Sequence, residues 1–229
     1  AGKPTRVVGA GCKNGGFYLL RIDDGAILAH TPIYLGPPMD NPKIDPRTLA
    51  LPSTIGGLQT GCASDGKSFF TNGIDCIFKV RHPMRRLAPP TGGRVTSISA
   101  DTKTENWRHE RPRVPWVGGT REKPMFTNTG DPVASGVAIA NGLAFFTTLS
   151  SNKLVVLNAS SGELLKEIQL GPVLAGPSVS RGRVYIGTGN THFTNLPAEA
   201  YFPKRPTGFL YSFGLPGDDE VDRMGAGDE

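Results

Sequence analysis

Cysteine and histidine are the residues of this sequence best suited to redox chemistry or metal binding, and their spacing argues against both uses. No cysteine belongs to a Cys-x-x-Cys pair, so neither a zinc ribbon nor a c-type haem attachment site is predicted. At most one disulfide can form, which leaves one thiol over. The histidines are scattered along the chain, and we predict no metal site built from them. These residues are Cys12, Cys62 and Cys76, and His30, His82, His109 and His192.

Positive charge is concentrated in one stretch of the chain. The formal net charge is +5, and residues 79–123 hold eleven Lys/Arg against four Asp/Glu. Trp107 and Trp116 are interleaved with these cations, a combination that also occurs in nucleic-acid-binding proteins. Prolines and strand-like segments split the stretch, however, so a solvated loop face or a protein contact is the preferred interpretation over nucleic acid. We therefore predict a possible protein partner through the 81–123 basic insertion.

The clearest structural unit lies in residues 131–171. Apolar residues alternate with small or polar ones, and Asn141-Gly142, Ser150-Ser151-Asn152 and Ser160-Ser161-Gly162 interrupt the runs as turns. Period-two apolar runs separated by such turns every eight to twelve residues are typical of an antiparallel meander. Four strands in about forty residues correspond to one blade of a β-propeller.

Composition supports an all-β chain. The 229 residues include 30 glycines and 20 prolines without a collagen-like period, which favours many short strands joined by turns. No apolar window is long enough to predict a transmembrane helix. No signal peptide pattern opens the sequence, and we expect the chain to have been cut from something larger.

The unit recurs about four times, in variants such as YLLRIDDGAILAH, TSISADTKTENWRH, LVVLNASSGELLKE and LYSFGLPGDDE. We predict blade-like units at about 1–36, 55–112, 131–171 and 172–216, followed by an acidic tail at 217–229. Four-bladed propellers are rare beside larger ones. We therefore predict about four blades of four-stranded antiparallel sheet, forming part of a seven- or eight-bladed ring. The remaining blades would come from a missing N-terminal half or from another chain.

The repeat resembles the blade motif of the pyrroloquinoline-quinone (PQQ) dehydrogenase propellers, strand–Asp–x–x–Thr–Gly–x–x–x–Trp. Residues 99–107 (SADTKTENW) are the nearest copy, with Glu105 in place of the glycine and the tryptophan two residues early. The resemblance implies that Trp107 docks between neighbouring blades. His30 and Lys166 take that place in two other units. The polyvinyl-alcohol-dehydrogenase-like branch is the most similar, because its pattern Gly-Gly-Ile-x-Trp-Gly resembles residues 56–61 (GGLQTG).

The resemblance implies two cofactor-binding residues. Residues 12–18 (CKNGGFY) are similar to the Lys/Arg-Asn-Gly-x-x-Tyr strand entry of the family, in which the cation points at the adjacent carbonyls of the quinone. Lys13 would stabilise negative charge on those oxygens. Gln59 and Thr60 stand where an Asn/Gln-Trp pair approaches the quinone, so Gln59 could donate an amide hydrogen bond. Judged without the resemblance, Lys13 is an exposed residue before a turn and Gln59 an ordinary strand residue.

The same resemblance implies what this chain lacks. The catalytic aspartate, the calcium ligands and the neighbouring Cys-Cys pair of the family come from blades earlier than the Lys13 position. We therefore expect no catalytic residue on this chain, and calcium only through residues outside it. The predicted function is the C-terminal portion of a PQQ-dependent alcohol dehydrogenase, periplasmic or secreted. The alternative is a non-catalytic PQQ-repeat propeller that binds proteins.

Overall fold

The structure is a computed structural model. It describes seven ranges of the chain, and of residues 49–50, 75 and 78–79 it describes the backbone only. The ranges are 5–33, 49–50, 57–75, 78–79, 92–112, 131–189 and 208–214. The predicted tail at 217–229 and most of the 81–123 insertion lie outside them.

The described residues form four antiparallel meanders and one two-stranded sheet, and every described element is a strand. Sheet 1 has the order β1 (Val7–Gly11), β2 (Gly16–Arg21), β3 (Ile27–Pro32). Two short strands, β4 (Leu49–Ala50) and β7 (Phe78–Lys79), pair with each other. Sheet 2 has the order β5 (Ala63–Ser64), β6 (Ser68–Asp75), β8 (Gly92–Ser99), β9 (Glu105–Glu110). Sheet 3 has the order β10 (Ala138–Ala140), β11 (Leu143–Thr147), β12 (Lys153–Asn158), β13 (Leu164–Gln169). Sheet 4 has the order β14 (Ser178–Ser180), β15 (Arg183–Gly187), β16 (Leu210–Phe213).

This architecture confirms the predicted all-β class and the antiparallel, blade-like sheets. Asn141 and Gly142 have φ angles of 49° and 74°, as expected for the predicted tight hairpin between β10 and β11. Strand β8 begins with two glycines, Gly92 and Gly93. Gly92 and Gly93 extend the strand because they pair in register with Asp75 and Ile74. The limits predicted for the four units remain predictions.

Three hydrophobic cores join the four sheets in sequence. The core between sheets 1 and 2 includes Phe17, Leu19, Ile33, Leu58, Phe69 and Ile98. The core between sheets 2 and 3 includes Phe70, Val95, Ala144, Phe146, Val155 and Leu157. The core between sheets 3 and 4 includes Phe145, Leu154, Leu170, Val173, Val184 and Ile186. Successive side chains of a strand point to opposite faces, so Phe145 and Phe146 enter different cores.

Trp107 on β9 docks onto the next sheet, as the resemblance implied. Its indole Nε1 donates a hydrogen bond of 2.9 Å to the carbonyl oxygen of Ala159. A Cβ atom on Gly162 would lie 2.6 Å from the indole ring, so the close approach requires glycine at that position. In sheet 1, His30 stacks instead on Tyr18 of its own sheet, with ring centroids 4.5 Å apart.

The longer connections leave the sheets at one common end, which we call the loop rim. Strands β3, β6, β9 and β15 all end there, before the segments 34–56, 76–91, 113–130 and 190–207. Contacts between sheets at this end show that it is shared: the Arg94 guanidinium donates to the carbonyl of Ile33 at 2.6 Å, and Asn72 donates to that of Val133 at 2.8 Å. Hairpin connections at the opposite end are short. The loop rim is therefore the end of the sheets at which the longest connections begin.

Candidate functional site

Lys13 is presented at the loop rim by a hydrogen-bonded turn between β1 and β2. Cys12 N donates to Gly16 O and Gly15 N donates to Cys12 O, each at 2.9 Å. Gly15 has a φ of 89°, which glycine adopts without strain. Lys13 is exposed at the tip of this turn. The turn thus fixes the backbone on both sides of Lys13.

Asn14 stabilises the same turn from the side. Its Oδ1 accepts a hydrogen bond from Gly16 N at 2.9 Å, and its Nδ2 donates to the hydroxyl of Tyr18 at 2.8 Å. Both ends of the amide are used, which fixes the orientation of the side chain. The Asn-Gly pair that follows Lys13 in the sequence is therefore a structural support for the lysine.

Gln59 lies on a neighbouring segment that reaches the same rim. Leu58 N donates to Cys12 O at 3.4 Å, and Gly57 and Ile74 exchange two backbone hydrogen bonds of 2.9 and 3.1 Å. Lys13 and Gln59 each directly follow one member of the Cys12–Leu58 pair. The structure therefore brings the two predicted residues, distant in sequence, to one place between sheets 1 and 2. Gln59, like Lys13, is exposed.

A close approach of the two segments makes this arrangement possible. A Cβ atom added to Gly11 would lie 2.8 Å from Cβ of Leu58, which is itself 3% exposed. The glycine therefore admits Leu58 into the core between sheets 1 and 2.

The position of Lys13 differs from its counterparts in other sheets. Strands β1, β11 and β15 have five residues each and run toward the loop rim, β1 as the first strand of its sheet and β11 and β15 as the second. Two residues after each strand stand Lys13, Leu149 and Gly189 respectively. Leu149 N donates a hydrogen bond to the carbonyl of Pro132, and Gly189 N donates one to that of Pro172. At both positions the backbone therefore makes the same kind of hydrogen bond. A lysine is not needed for that task.

Gln59 departs from the repeat in the same way. Glycines of successive sheets stack at the inner edge: a Cβ on Gly136 would lie 3.6 Å from Gly61 O, and one on Gly176 would lie 3.1 Å from Gly136 O. Two residues before these glycines stand Gln59, Ala134 and Leu174. The amide is therefore present where the other two sheets have apolar residues. Lys13 and Gln59 are polar departures from the repeat at one common location.

Sequence reasoning missed three residues that support the site. Asn72 is fully buried; its Oδ1 accepts a hydrogen bond from the Thr60 hydroxyl at 2.6 Å and its Nδ2 donates to Val133 O at 2.8 Å. Thr60, which replaces the aromatic of the family pattern, thus has a defined partner. Arg94 is also fully buried, donates to Ile33 O and lies 3.6 Å from Glu110 Oε1. Asn72 and Arg94 lie on β6 and β8, and no local sequence pattern indicates their partners.

An ionic cluster at the loop rim joins sheet 2 to sheet 3. Arg111 Nε and Nη2 donate to Asp131 Oδ2 at 3.0 and 2.8 Å, and its Nη1 donates to Glu167 Oε1 at 2.6 Å. Lys153 pairs with the other oxygen of Glu167. The hydrogen bond from Lys153, followed by that from Arg111, lowers the pKa of Glu167 against the opposing effect of burial. Glu167 is thus held ionised, and the cluster joins the end of β9 to Asp131 and to strands β12 and β13.

His109 lies on β9 beside this cluster. Its ring centroid is 6.2 Å from that of Phe146, and its Nε2 is buried without a hydrogen-bond partner. Burial, and then the positive charge of Arg111, lower the pKa of His109. The imidazole is therefore held neutral at neutral pH.

Cys12 and Cys62 are free thiols, and Cys76 lies outside the described residues. Cys62 Sγ donates to the carbonyl of Gly9 at 3.3 Å, and burial raises the pKa of this thiol. A raised pKa keeps Cys62 protonated and poorly nucleophilic.

Within the described ranges, no group of three or more His, Cys, Asp or Glu side chains could hold a metal ion. Among the same residues, no helix is long and apolar enough to cross a membrane.

An ammonium and an amide at one exposed rim are hydrogen-bond donors, which suits the carbonyl and carboxylate oxygens of PQQ. The residues present therefore fit the anionic edge of the quinone, and Lys13 and Gln59 are the ones that would hold it.

Comparison with known proteins agrees with this fold. Residues 91–200 match the family model described as outer membrane protein assembly factor BamB, a PQQ-repeat family. No curated protein matches the chain significantly. Among solved structures, a europium-containing methanol dehydrogenase has a TM-score of 0.58 at 16% identity, covering 93% of this chain and 45% of that one. A quinohemoprotein alcohol dehydrogenase from Comamonas testosteroni has a TM-score of 0.54 at 16% identity, covering 82% of this chain and 32% of that one.

At 16% identity these two likenesses show the fold alone, and the chain spans less than half the length of either structure. The assignment to the polyvinyl-alcohol-dehydrogenase-like branch remains a prediction. Sheet architecture, structural likeness and the matched repeat agree with one another. The chain has a β-propeller fold, and its residues 91–200 match a PQQ-repeat family model, in agreement with the repeat that its sequence motifs predicted.

Proposed function

We propose that this chain is the C-terminal portion of a PQQ-dependent alcohol dehydrogenase, in which Lys13 and Gln59 bind the quinone. The supporting observation is their convergence at the loop rim through the Leu58 N–Cys12 O hydrogen bond, at positions where other sheets have Leu, Ala or Gly. A repeat position that needs only its backbone is free to acquire a functional side chain.

The chemistry of the two side chains fits this role. A bound PQQ supplies a two-electron acceptor for the oxidation of an alcohol. The Lys13 ammonium would stabilise the negative charge that reduction places on the adjacent quinone oxygens, and the Gln59 amide would donate a neutral hydrogen bond. The base that deprotonates the alcohol, and any calcium ligands, would come from residues outside this chain.

The proposal includes a partner and a location. The blades that complete the ring would come from a missing N-terminal half or from another chain, and they would pack against the outer faces of sheets 1 and 4. The periplasm or the cell exterior is proposed as the location on the basis of the family resemblance. Fractionation of cells that make the complete protein would test this location, and recovery in the cytoplasm alone would contradict it.

The test uses the complete propeller with PQQ and calcium, titrated by isothermal calorimetry. Lys13→Met is expected to weaken PQQ binding roughly tenfold or more, because a charge-assisted hydrogen bond contributes roughly 1.5–3 kcal/mol. Gln59→Ala should weaken it by a smaller factor. Lys67→Met is the matched control, since Lys67 is an exposed lysine in a hairpin turn at the opposite end of sheet 2. Equal affinities for the Lys13 and Lys67 variants would refute the proposal, as would a wild-type protein that binds no quinone.

A second candidate is a non-catalytic propeller that binds a protein through its basic insertion. One observation favours it: Asp131 N donates to Pro112 O at 2.9 Å, so segment 113–130 leaves and returns at one point. Between sheets 3 and 4 the chain passes through Gly171-Pro172 with no such segment. Joining Pro112 directly to Asp131 should therefore leave the propeller folded.

That deletion variant provides the test of the second candidate. Affinity capture with the intact and the shortened protein, both shown to be folded by circular dichroism and thermal unfolding, should differ in the captured partner. If every partner remains bound to the shortened protein, segment 113–130 has no role in binding.

A further inference from the structure

We propose that Thr60 and Asn72 are positioning residues for Gln59, which they hold at the loop rim by a buried hydrogen-bond relay to sheet 3. This inference rests on the proposed quinone-binding role of Gln59. It adds two residues to which neither the sequence motifs nor the comparisons give a role.

The relay has three members and two short hydrogen bonds. The Thr60 hydroxyl donates to Asn72 Oδ1 at 2.6 Å, and Asn72 Nδ2 donates to Val133 O at 2.8 Å. Asn72 and Val133 are both fully buried. A flipped Asn72 amide would set its oxygen against the Val133 carbonyl, so the observed orientation is the favourable one. The hydroxyl of Thr60 is therefore held at a fixed point.

The segment that carries Gln59 is anchored on both sides, and Gln59 itself is exposed. On one side, the backbone of Leu58 is bound to Cys12 and that of Gly57 to Ile74. On the other side, Thr60 is bound through its side chain to Asn72. Removing the Thr60 hydroxyl leaves the first anchors intact and releases the second. The segment would then pivot about Leu58, and the Gln59 amide would move.

The corresponding residues of sheet 3 do not form this side-chain relay. Asn72 and Thr147 occupy corresponding positions of β6 and β11, four residues after the first residue of each strand. Thr147 Oγ1 donates to Ala175 O at 2.9 Å, so both side chains bond to the backbone of the next sheet. Asn72 has a second bond, to Thr60, because an amide both donates and accepts. In sheet 3, the hydroxyl of Ser135 bonds to the backbone of Thr147 instead.

Thr147→Val is accordingly a matched control for Thr60→Val. Each variant removes one hydroxyl that bonds across the loop rim and keeps the shape of the side chain. Only Thr60→Val affects the relay next to Gln59. Thr60→Ser keeps the hydroxyl and should restore the wild-type behaviour.

The first experiment measures PQQ affinity of the complete protein by calorimetry. Thr60→Val is expected to weaken binding about fivefold, the effect of one lost hydrogen bond of ordinary strength. Thr147→Val should change the PQQ affinity less than about twofold. It should lower the melting temperature about as much as Thr60→Val does. In a Gln59→Ala background, Thr60→Val should have almost no further effect on affinity, because it acts through Gln59. An equal loss in both backgrounds would overturn the inference.

The second experiment does not depend on quinone binding. In the unloaded protein, amide hydrogen exchange of a peptide covering 57–61 should be faster in Thr60→Val than in wild type or in Thr147→Val. Unchanged exchange in that peptide would overturn the positioning role whatever the affinities show. If exchange rises but neither Lys13→Met nor Gln59→Ala affects quinone binding, the proposed function fails while the relay itself is established.

Discussion

Replacement of Arg111 by methionine tests whether the ionic cluster at the loop rim holds sheets 2 and 3 together. The side chains of Arg111 and Asp131 are only 6% and 7% exposed, and the guanidinium makes two bonds to Asp131 and one to Glu167. Methionine retains most of the volume but leaves the Asp131 carboxylate buried, with Ser151 N and Oγ as its remaining donors. Breaking a buried ion pair from one side costs about 3–5 kcal/mol. Because Ser151 still donates two hydrogen bonds to Asp131, we expect the loss of unfolding free energy to be about 3 kcal/mol, the lower end of this range.

Urea denaturation of the complete protein, followed by circular dichroism, measures this loss. Arg108→Met is the control, since Arg108 pairs with Glu105 at 2.5 Å but at side-chain exposures of 20% and 33%. A partly exposed pair contributes about 0–1 kcal/mol. The variant Arg111→Met/Asp131→Leu should recover much of the stability, because it removes the stranded charge. A loss below about 1 kcal/mol for Arg111→Met, equal to that of the control, would refute the reasoning.

Two further predictions concern the same junction. Gly162→Ala should destabilise the protein by more than about 1 kcal/mol, because φ is +74° and the new Cβ would lie 2.6 Å from the Trp107 ring. Gly142→Ala is the control, because Gly142 has the same φ but open space around it, so thermal unfolding of this variant measures the backbone contribution without the steric one. Equal losses of stability in the two variants would exclude a steric role for Trp107. Stability should also fall as the pH drops below about 6.5, because the folded pKa of His109 is lowered and the unfolded chain then binds more protons. In His109→Gln this slope in urea titrations should be smaller, and an unchanged slope would assign the pH dependence to other groups.

The strands and turns follow from local patterns and were therefore predictable. Alternating apolar residues and the Asn141-Gly142 turn specify the meander of sheet 3, because both signals act over a few residues. The start of β8 is not evident from local sequence because Gly92 and Gly93 have low strand propensity, and only their pairing with β6 makes them part of the sheet. Tertiary pairing outweighed local preference at that boundary.

The site was predictable only through resemblance to a family, and its supports were not predictable at all. Lys13 and Gln59 were found as motif positions, but nothing local to either one indicates that Leu58 N meets Cys12 O. Asn72 was overlooked because a single asparagine in a strand gives no indication of its partners. Thr60 was interpreted as the loss of an aromatic, whereas the structure gives its hydroxyl a buried acceptor.

By itself the sequence determined the all-β class, the repeated meander and the residues of each apolar face, since these depend on side-chain period and turn chemistry. Only the tertiary structure decided which distant residues share the loop rim, because that depends on how successive sheets pack. Glycine at 11, 162 and 176 permits close approaches between neighbouring segments. Those approaches place Lys13 beside Gln59 and join Arg111 to Glu167. Contacts between sheets have no periodic signature along the chain, and for this reason the proximity of Lys13 and Gln59 is seen only in the fold.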